Sequence, residues 1–314
     1  MSDALPDLLS RPFEDRLVVR GYETDATGTL PMGIVFRYFE HKRWLMMRDP
    51  RLGLVELVHA GHFFVVREQT LEILRHIGQG VALVIRTRFD HAGRSTAGVA
   101  HELLRASDGA LVARAHVVGV WIGPNRRMVR LPDRLRDIAR AQADELRAHP
   151  ETPHRPAAPP RAGGGASSFF DPPEIIHPGL GLDVSPPAGP PPADAYRYPV
   201  VVPPRDLDIF SHVNAATWLA YADDARLAAA RDGALPPELG ASSFNVRSTL
   251  LYRREAVLGD TLTVHAWPVP DAPRAVALAV TRADLAEPLC LVRIDTEPGA
   301  APISAPREAE APTA

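Results

Sequence analysis

The chain contains 314 residues, of which 46% are hydrophobic and 23% are charged, and its formal net charge is −3. This composition predicts a globular protein with enough residues for two domains, and it excludes a basic nucleic-acid-binding chain. The sequence contains no run of about 18 uninterrupted apolar residues, so no membrane-spanning helix is predicted. The single cysteine, Cys290, excludes an intrachain disulfide and a cysteine-based metal cluster.

The first part of the chain reads as a strand, a helix and a series of strands. Residues 1–11 carry acids and prolines instead of a basic, apolar signal, so we expect a cytoplasmic protein. Residues 15–22 alternate apolar and polar side chains, as strands do. Pro31 opens a predicted helix that runs to about Arg48, because proline is tolerated in the first helical turn. Further strands are predicted over residues 63–77, 81–90, 97–106 and 111–122, and a closing helix over residues 133–147.

Proline and glycine dominate residues 147–195. At this density they oppose both helix and sheet, so the segment is interpreted as a linker whose apolar parts, residues 169–170 and 175–176, can dock on a domain. The predicted division is an N-terminal domain over residues 1–149, a linker over 150–194, a C-terminal domain over 195–298 and a disordered tail over 299–314.

The second folded region repeats the order of the first. A strand is predicted over residues 197–202 and a helix over residues 215–230. Strands then follow over residues 244–255, 261–268, 275–282 and 288–296. One helix followed by an antiparallel meander predicts an α+β fold.

The two regions also share residues at a constant offset. Asp25 and Asp208, each placed shortly before a predicted helix, lie 183 residues apart. A repeat of this length predicts two copies of one domain. The further pairs at this offset are Tyr38 with Tyr221, Glu40 with Asp223, and Arg43 with Arg226. Within each helix the acid precedes the arginine by three residues, which predicts an ion pair between them in preference to a catalytic role for the acid.

The first half resembles the bacterial acyl-CoA thioesterases of the 4-hydroxybenzoyl-CoA thioesterase group. The resemblance is carried by Tyr-Glu-Thr-Asp-Ala-Thr-Gly at residues 22–28, Tyr-Phe-Glu at 38–40, Phe-Val-Val-Arg at 64–67, Thr70 and Glu72. The second half is similar to the C-terminal half of plant and bacterial acyl-acyl-carrier-protein thioesterases. Its matching strings are Asp-Leu-Asp at residues 206–208, His-Val-Asn at 212–214 and Tyr-Arg-Arg-Glu at 252–255.

These resemblances imply a double hotdog fold, in which each domain is a long antiparallel sheet wrapped around a central helix. Two such domains can pair within one chain as a continuous sheet with the central helices outside it, and the whole can pair again as a homodimer. Three positions depart from the relatives. Phe210 stands where the acyl-carrier-protein enzymes carry Asn, Ala256 where they carry Cys, and Met32 where the acyl-CoA enzymes often carry His.

The resemblance implies a catalytic group in the second half. Asp208 would act as general base or nucleophile, with His212 beside it and Glu255 orienting a water. In the alternative interpretation Asp208 makes a loop turn or caps the helix, and His212 is a packing residue. Asp25 is a second catalytic candidate, with a turn aspartate as the equally weighted alternative.

Substrate-binding roles are predicted for a further set of residues. Gly28 and Gly33 would permit a thioester to approach the helix N-terminus, and Asn214 belongs to the matching string. Arg67, Arg253 and Arg254 would meet the phosphates of coenzyme A or of a phosphopantetheine arm, unless they form a solvated sheet edge. We expect no metal and no cofactor, because His59 and His62 lack a third ligand.

The sequence therefore predicts a hydrolase that releases an acyl group from acyl-carrier protein or coenzyme A, without nucleic-acid or membrane partners. The C-terminal pocket is the expected catalytic site, and the N-terminal half would supply acyl-chain walls. Two alternatives stay open. One is a hotdog dehydratase or hydratase that acts on acyl thioesters. The other is a non-catalytic double hotdog that binds acyl chains or carrier protein, which Phe210 and Ala256 favour.

Overall fold

A computed structural model describes residues 10–148, 175–177, 181, 185–187, 189–240 and 243–298. Most of the predicted linker and the whole predicted tail lie outside these residues, so the proposed domain boundaries stay predictions. The strands are β1 (Phe13–Val18), β2 (Phe63–Ile73), β3 (Arg75–His76), β4 (Ala82–Ala92), β5 (Thr96–Arg105), β6 (Leu111–Ile122), β7 (Ile175–Ile176), β8 (Tyr196–Val201), β9 (Ser243–Tyr252), β10 (Thr261–Val269), β11 (Ala272–Arg282) and β12 (Cys290–Pro298). The α-helices are α1 (Met32–Met47), α2 (Val55–His59), α3 (Asp133–Ala148) and α4 (Ala215–Arg231).

Ten strands form one antiparallel sheet in the order β1-β4-β5-β6-β2-β9-β12-β11-β10-β8. From either edge toward the centre, corresponding strands of the two halves follow in the same order: β1 corresponds to β8, β4 to β10, β5 to β11, β6 to β12 and β2 to β9. The innermost strand of each half, β2 or β9, is the first strand after the long helix. This arrangement confirms the predicted α+β double hotdog fold. None of the helices in the described ranges is long and apolar enough to cross a membrane.

The predicted repeat is visible in the element boundaries. Strand β1 and strand β8 begin 183 residues apart, as do helices α1 and α4. Beyond the helices the offset changes, because the first half inserts the short helix α2 where the second half has a single 3₁₀ turn at Pro237–Leu239. Helix α2 was not predicted. Pro31 lies at the N-cap of α1 instead of within it, and the predicted strand over residues 63–77 is divided into β2 and β3.

The two halves are joined where β2 pairs with β9. Thr70 lies opposite Thr249, and their hydroxyl oxygens are 3.3 Å apart in the buried centre of the sheet. Leu71 and Leu250, on the two paired strands, are completely buried. Helices α1 and α4 contact each other and share one hydrophobic core with both half-sheets. The two copies therefore form one continuous folded body at this joint.

An equivalent hydrogen bond in each half anchors the long helix to the segment before it. The Tyr38 hydroxyl donates to the Glu23 carboxylate at 2.6 Å, and the Tyr221 hydroxyl donates to the Asp206 carboxylate at 2.7 Å. Burial, and then the hydrogen bond to the carboxylate, raise the pKa of each tyrosine. Both pairs therefore hold the loop between strand and helix in place, and that loop carries Asp25 or Asp208.

A short piece of the linker docks on the N-terminal half, as expected for residues 175–176. Strand β7 pairs with β3, and the backbone N–H of His177 donates to the carbonyl of Leu74 at 2.9 Å. The ring of His76 stacks on Phe244 at 4.1 Å and meets the ring of His177 edge-on at 4.9 Å. Neither nitrogen of His76 has a hydrogen-bond partner among the described residues. Desolvation, and next the charge on His177, lower the pKa of His76 to about 3.

Truncating the joint should destabilise the whole chain. We expect Leu250→Ala to lower the free energy of unfolding by about 2–5 kcal/mol, because it leaves a cavity in a completely buried part of the sheet. Urea denaturation followed by circular dichroism measures the change. The control is Val201→Ala on the exposed edge strand β8, which should shift stability by less than about 0.5 kcal/mol. Equal effects of the two substitutions would contradict the assigned role of the joint.

The buried His76 should make the fold sensitive to acid. Its lowered pKa means that the unfolded chain binds a proton below about pH 6.5 while the folded chain stays neutral down to about pH 3, so stability falls as the pH falls through that window. In His76→Phe, the loss of unfolding free energy between pH 8 and pH 5.5 should be smaller than in the wild type by about 1.4 kcal/mol. Urea titrations at both pH values measure it, and parallel losses in the two proteins would refute the prediction.

Candidate active site

The loop before α4 is a tight turn built around Asp208. Carboxylate oxygen Oδ1 accepts hydrogen bonds from the backbone N–H of Phe210 at 2.8 Å and of His212 at 3.3 Å, and the Asp208 N–H donates to the carbonyl of His212 at 2.8 Å. Ser211 has a left-handed φ of 64°, which is costly for a residue with a side chain. Oδ2 of Asp208 forms no hydrogen bond within the described part of the chain and remains available for chemistry.

The loop at Asp25 has the same geometry. Its Oδ1 accepts from the N–H of Thr27 at 2.8 Å, its N–H donates to the carbonyl of Thr29 at 2.9 Å, and Gly28 takes the positive φ of 75°. Both aspartates therefore form the turn that the alternative interpretation predicted. The two turns differ chemically at the fourth residue after the aspartate, which is Thr29 in the first half and His212 in the second.

Beside the second turn, the side chains of His212 and Glu255 are in contact. Their Nε2 and Oε2 atoms are 3.0 Å apart. Glu255 follows β9, and the backbones of His212 and Val257 form an isolated β-bridge that fixes the two segments side by side. The predicted trio of Asp208, His212 and Glu255 is thus brought together, and all three line one cavity of about 740 Å³.

Arg126, which sequence reasoning missed, completes this group from the other half of the chain. Its Nη1 donates to both Glu255 carboxylate oxygens at 2.8 and 3.1 Å, and its Nη2 is 2.9 Å from Nε2 of His212. It lies at the tip of a turn after β6 with a left-handed φ of 57°. The side chains of Arg126 and Glu255 are 57% and 51% exposed. Their ion pair therefore adds little stability, and its main effect is to orient Glu255.

The cavity is polar at this end and apolar elsewhere. Phe210 stacks on Phe63 at 4.4 Å and lies 5.9 Å from Trp44. The residue found in place of the expected Asn therefore belongs to an aromatic wall. Deeper lining residues come from the second hydrophobic cluster of the N-terminal half, namely Met46, Phe64, Phe89, Ala97 and Val99. A polar group beside an apolar cavity is the usual form of a small-molecule site.

Asn214 caps one long helix and joins it to the other, and these contacts do not test its predicted substrate-binding role. It is the N-cap of α4, where its Oδ1 accepts from the N–H of Ala216 at 2.9 Å, and its Nδ2 donates to Oε1 of Glu40 at 2.7 Å. The predicted ion pair between Glu40 and Arg43 is wrong, because Glu40 bonds to Asn214 across the two halves instead. The predicted pair of Asp223 and Arg226 is confirmed at 2.8 Å.

The predicted phosphate-binding arginines lie next to Asp208, His212 and Glu255. Arg253 and Arg254 line the main cavity and also a second hollow of about 640 Å³, which Arg67 borders as well. All three side chains are exposed. The structure therefore places a cluster of guanidinium groups beside the polar end of the cavity.

The remaining candidates, Asp25, Gly28 and Gly33, do not line the cavity. Asp25 is exposed, and its carboxylate also accepts from the Thr27 hydroxyl at 2.5 Å. Asp25 therefore forms the turn of the alternative interpretation, and its catalytic role stays an untested prediction. The described residues include no group of three His, Cys, Asp or Glu side chains placed to hold a metal ion.

The position equivalent to Glu255 in the first half is His76. The N–H of Leu30 donates to the carbonyl of Ile77 at 2.8 Å, just as the N–H of Val213 donates to the carbonyl of Ala256 at 2.9 Å. These hydrogen bonds align the residues immediately before each carbonyl, which are His76 and Glu255. The first half thus has a buried imidazole covered by His177 where the second half has a carboxylate.

Comparison with known proteins agrees with this architecture. The structure is similar to three solved structures over nearly their whole length: a protein assigned as an oleoyl thioesterase from Lactobacillus plantarum (18% identity, TM-score 0.68, 93% of this chain and 98% of that chain), an acyl-ACP thioesterase from Bacteroides thetaiotaomicron (17%, 0.64, 95% and 100%) and a 12:0-ACP thioesterase from Umbellularia californica (16%, 0.65, 91% and 97%). At these identities the likeness establishes the fold.

The family comparison goes further, because it matches both halves of the chain. The model of the Thioesterase-like superfamily matches residues 19–144 and 202–281, which include both aspartate turns and Glu255. These two segments make up well over half of the sequence, so the chain belongs to the Thioesterase-like superfamily.

Proposed function

We propose that the protein hydrolyses acyl thioesters to a free acid and a thiol, at the end of the cavity formed by Asp208, His212 and Glu255. The observation that carries this proposal is the meeting of two carboxylates and an imidazole, with His212 and Glu255 in contact at 3.0 Å, where an apolar cavity opens. Membership of the Thioesterase-like superfamily supports the reaction class.

In the proposed reaction, water attacks the thioester carbonyl carbon, and the bond between that carbon and sulfur breaks. Asp208 takes the proton from water through the Oδ2 atom that the turn leaves unused, while His212 and Glu255 orient the water. The leaving thiolate then receives the proton that Asp208 took from the water, which regenerates the carboxylate. Ala215, the first residue of α4, lines the cavity, so the helix N-terminus faces the site where negative charge develops on the carbonyl oxygen.

The N-terminal half contributes to this reaction without a catalytic site of its own. Arg126 holds both oxygens of Glu255 and so fixes the carboxylate that faces His212. The apolar lining from Phe89, Ala97 and Val99 receives the acyl group. The proposed catalytic unit is therefore composite, with chemistry from the second half and walls and one orienting cation from the first.

The proposed carrier of the acyl group is acyl-carrier protein or coenzyme A, both of which present a phosphopantetheine arm. Arg67, Arg253 and Arg254 lie beside the polar end of the cavity and present guanidinium groups to that phosphate. Two of the structurally similar proteins are acyl-ACP thioesterases, which supports the protein carrier.

A non-catalytic acyl-binding protein is the second candidate. Phe210 contributes an aromatic ring, and the fully buried Ala256 a methyl group, at positions where the related enzymes carry polar side chains. Saturable binding of acyl thioesters by the wild type with no release of free thiol would favour this candidate over the hydrolase.

The two equivalent aspartates provide a matched test of catalysis. Asp208→Asn should lower kcat by about 10²–10⁴-fold, because the amide can still accept the turn's hydrogen bonds but cannot act as a base. Asp25→Asn makes the same change in the same turn and should leave kcat within about twofold of the wild type, since its carboxylate lies outside the cavity. Thiol release from acyl-CoA and acyl-carrier-protein substrates measures both. Unchanged turnover in Asp208→Asn would remove that residue from the mechanism.

The arginine cluster should act on substrate binding. Replacing Arg253 and Arg254 together by Gln should raise KM by about tenfold or more with kcat nearly unchanged, because two charged donors to a phosphate are lost. The effect should shrink at high ionic strength, which screens exposed charges. Arg37→Gln, an exposed arginine on α1, is the control and should leave KM unchanged. A fall in kcat at constant KM would contradict the assigned role.

A further inference from the structure

The start of α4 is held by several hydrogen bonds that leave one backbone donor unused. Asn214 is the N-cap, and its Oδ1 accepts from the N–H of Ala216 at 2.9 Å. The N–H of Asn214 donates to the carbonyl of Asp206 at 2.9 Å. The Tyr252 hydroxyl donates to the carbonyl of Ala215 at 2.9 Å. The N–H of Ala215 has no acceptor among the described residues, and Ala215 lines the cavity, so this donor remains for a ligand.

A side chain of the N-terminal half adds to these contacts. Glu40, on α1, lines the same cavity, and its Oε1 accepts from Nδ2 of Asn214 at 2.7 Å. An ionised carboxylate has acceptors only, so it requires the NH₂ side of the Asn214 amide. The amide oxygen is then turned toward the N–H of Ala216, where it caps the helix. Glu40 therefore fixes which way round the capping amide stands.

Within the described residues this contact has no counterpart in the other direction. The residue equivalent to Asn214 is Pro31, the N-cap of α1, whose side chain forms no capping hydrogen bond. The residue equivalent to Glu40 is Asp223, and its Oδ1 accepts from Nδ2 of Asn245 at 2.9 Å, within its own half. The acid of α1 thus supports the start of α4, whereas the acid of α4 is used inside the second half.

The contact places Glu40 next to the step in which charge develops. The carbonyl oxygen of a thioester gains negative charge when water attacks the carbon, and a donor stabilises that charge best when it is already held in place. The N–H of Ala215 follows directly on the residue whose side chain Glu40 holds, so a displaced cap would displace this donor. A misplacement of about 1 Å in such a site can cost about 10²-fold in rate.

We propose that Glu40 is a positioning residue for the reaction, which acts through Asn214 to hold the N–H of Ala215 toward the thioester carbonyl oxygen. This inference rests on the proposed function. Glu40 takes up no proton in this role. Because the donor meets the oxygen more strongly in the transition state than in the bound substrate, the effect of Glu40 falls on kcat and not on KM.

Two substitutions of Glu40 separate positioning from direct catalysis. Glu40→Met removes the acceptor and should lower kcat by about tenfold or more, with KM within about twofold of the wild type. Glu40→Gln keeps an acceptor oxygen for Asn214 but cannot act as a base, and should keep kcat within about threefold of the wild type. His41→Met, at an exposed position of the same helix, is the control and should leave both constants unchanged. Thiol release from acyl-CoA measures all of them.

Two results of this comparison would overturn the proposal. An unchanged kcat in Glu40→Met would show that the contact with Asn214 does not affect the reaction. A loss in Glu40→Gln as large as in Glu40→Met would assign the carboxylate a direct part in the chemistry.

A double-mutant cycle tests whether Glu40 acts through Asn214. Asn214→Ala should lower kcat by at least the factor found for Glu40→Met, because the cap itself is lost. Adding Glu40→Met to Asn214→Ala should lower kcat no further, since the residue through which Glu40 acts is already gone. Losses that multiply would show independent roles and would overturn the proposal.

Amide hydrogen exchange tests the positioning role without any enzyme activity. In the full-length protein, the N–H of Ala216 should exchange at least about fivefold faster in Glu40→Met than in the wild type, because its acceptor is no longer held, and Glu40→Gln should keep the wild-type rate. If the wild type releases no thiol but shows this difference, the hydrolase proposal fails and the positioning of α4 by Glu40 stands. Equal exchange in Glu40→Met and the wild type would overturn the role of Glu40 whatever the activity.

Discussion

The pairing of β2 with β9 sets the position of every group in the candidate site. It lines up Thr70 with Thr249 at the centre of the sheet, and it carries Tyr252 and Glu255 to the side of the N-terminal half. The turn after β6 then brings Arg126 within hydrogen-bond distance of Glu255. Without this joint each half would keep its turn and its helix but would lose the wall and the charges that the other half supplies.

The two halves share their geometry and differ in their chemistry. Asp25 and Asp208 form the same turn, with the positive φ taken by Gly28 in one and by Ser211 in the other. Because the turn alone requires the aspartate, its repetition gives no sign of two catalytic sites. The two halves differ in the residues next to the turn. His212 and Glu255 in the second half correspond to Thr29 and the buried His76 in the first. The second half thus has a polar group at the position where the first half has the packed rings of His76, His177 and Phe244.

Local patterns were sufficient to predict most elements and the repeat. Periodic apolar residues locate the helices and strands, and the constant offset predicts paired domains. Contacts between the halves were beyond such reasoning, because they join residues far apart in sequence through side chains with no local signature. Arg126 shows only turn residues around it, and the pairing of Glu40 with Asn214 competes with a local ion pair that helix spacing predicts equally well. The departure at Phe210 was visible in the sequence, but its stacking on Phe63 of the other half was not.

The charged residues around the cavity come from both halves of the chain. Asp208 and Glu255 bring two carboxylates to one end, and Arg126 offsets the charge of Glu255 from across the joint. Arg43 of the N-terminal half adds a further guanidinium to the cavity lining. Because charges in a poorly hydrated cavity interact strongly, the charged end of the cavity orients a ligand. The cavity is therefore asymmetric in charge along its length, and that asymmetry arises because the joined halves are unequal copies.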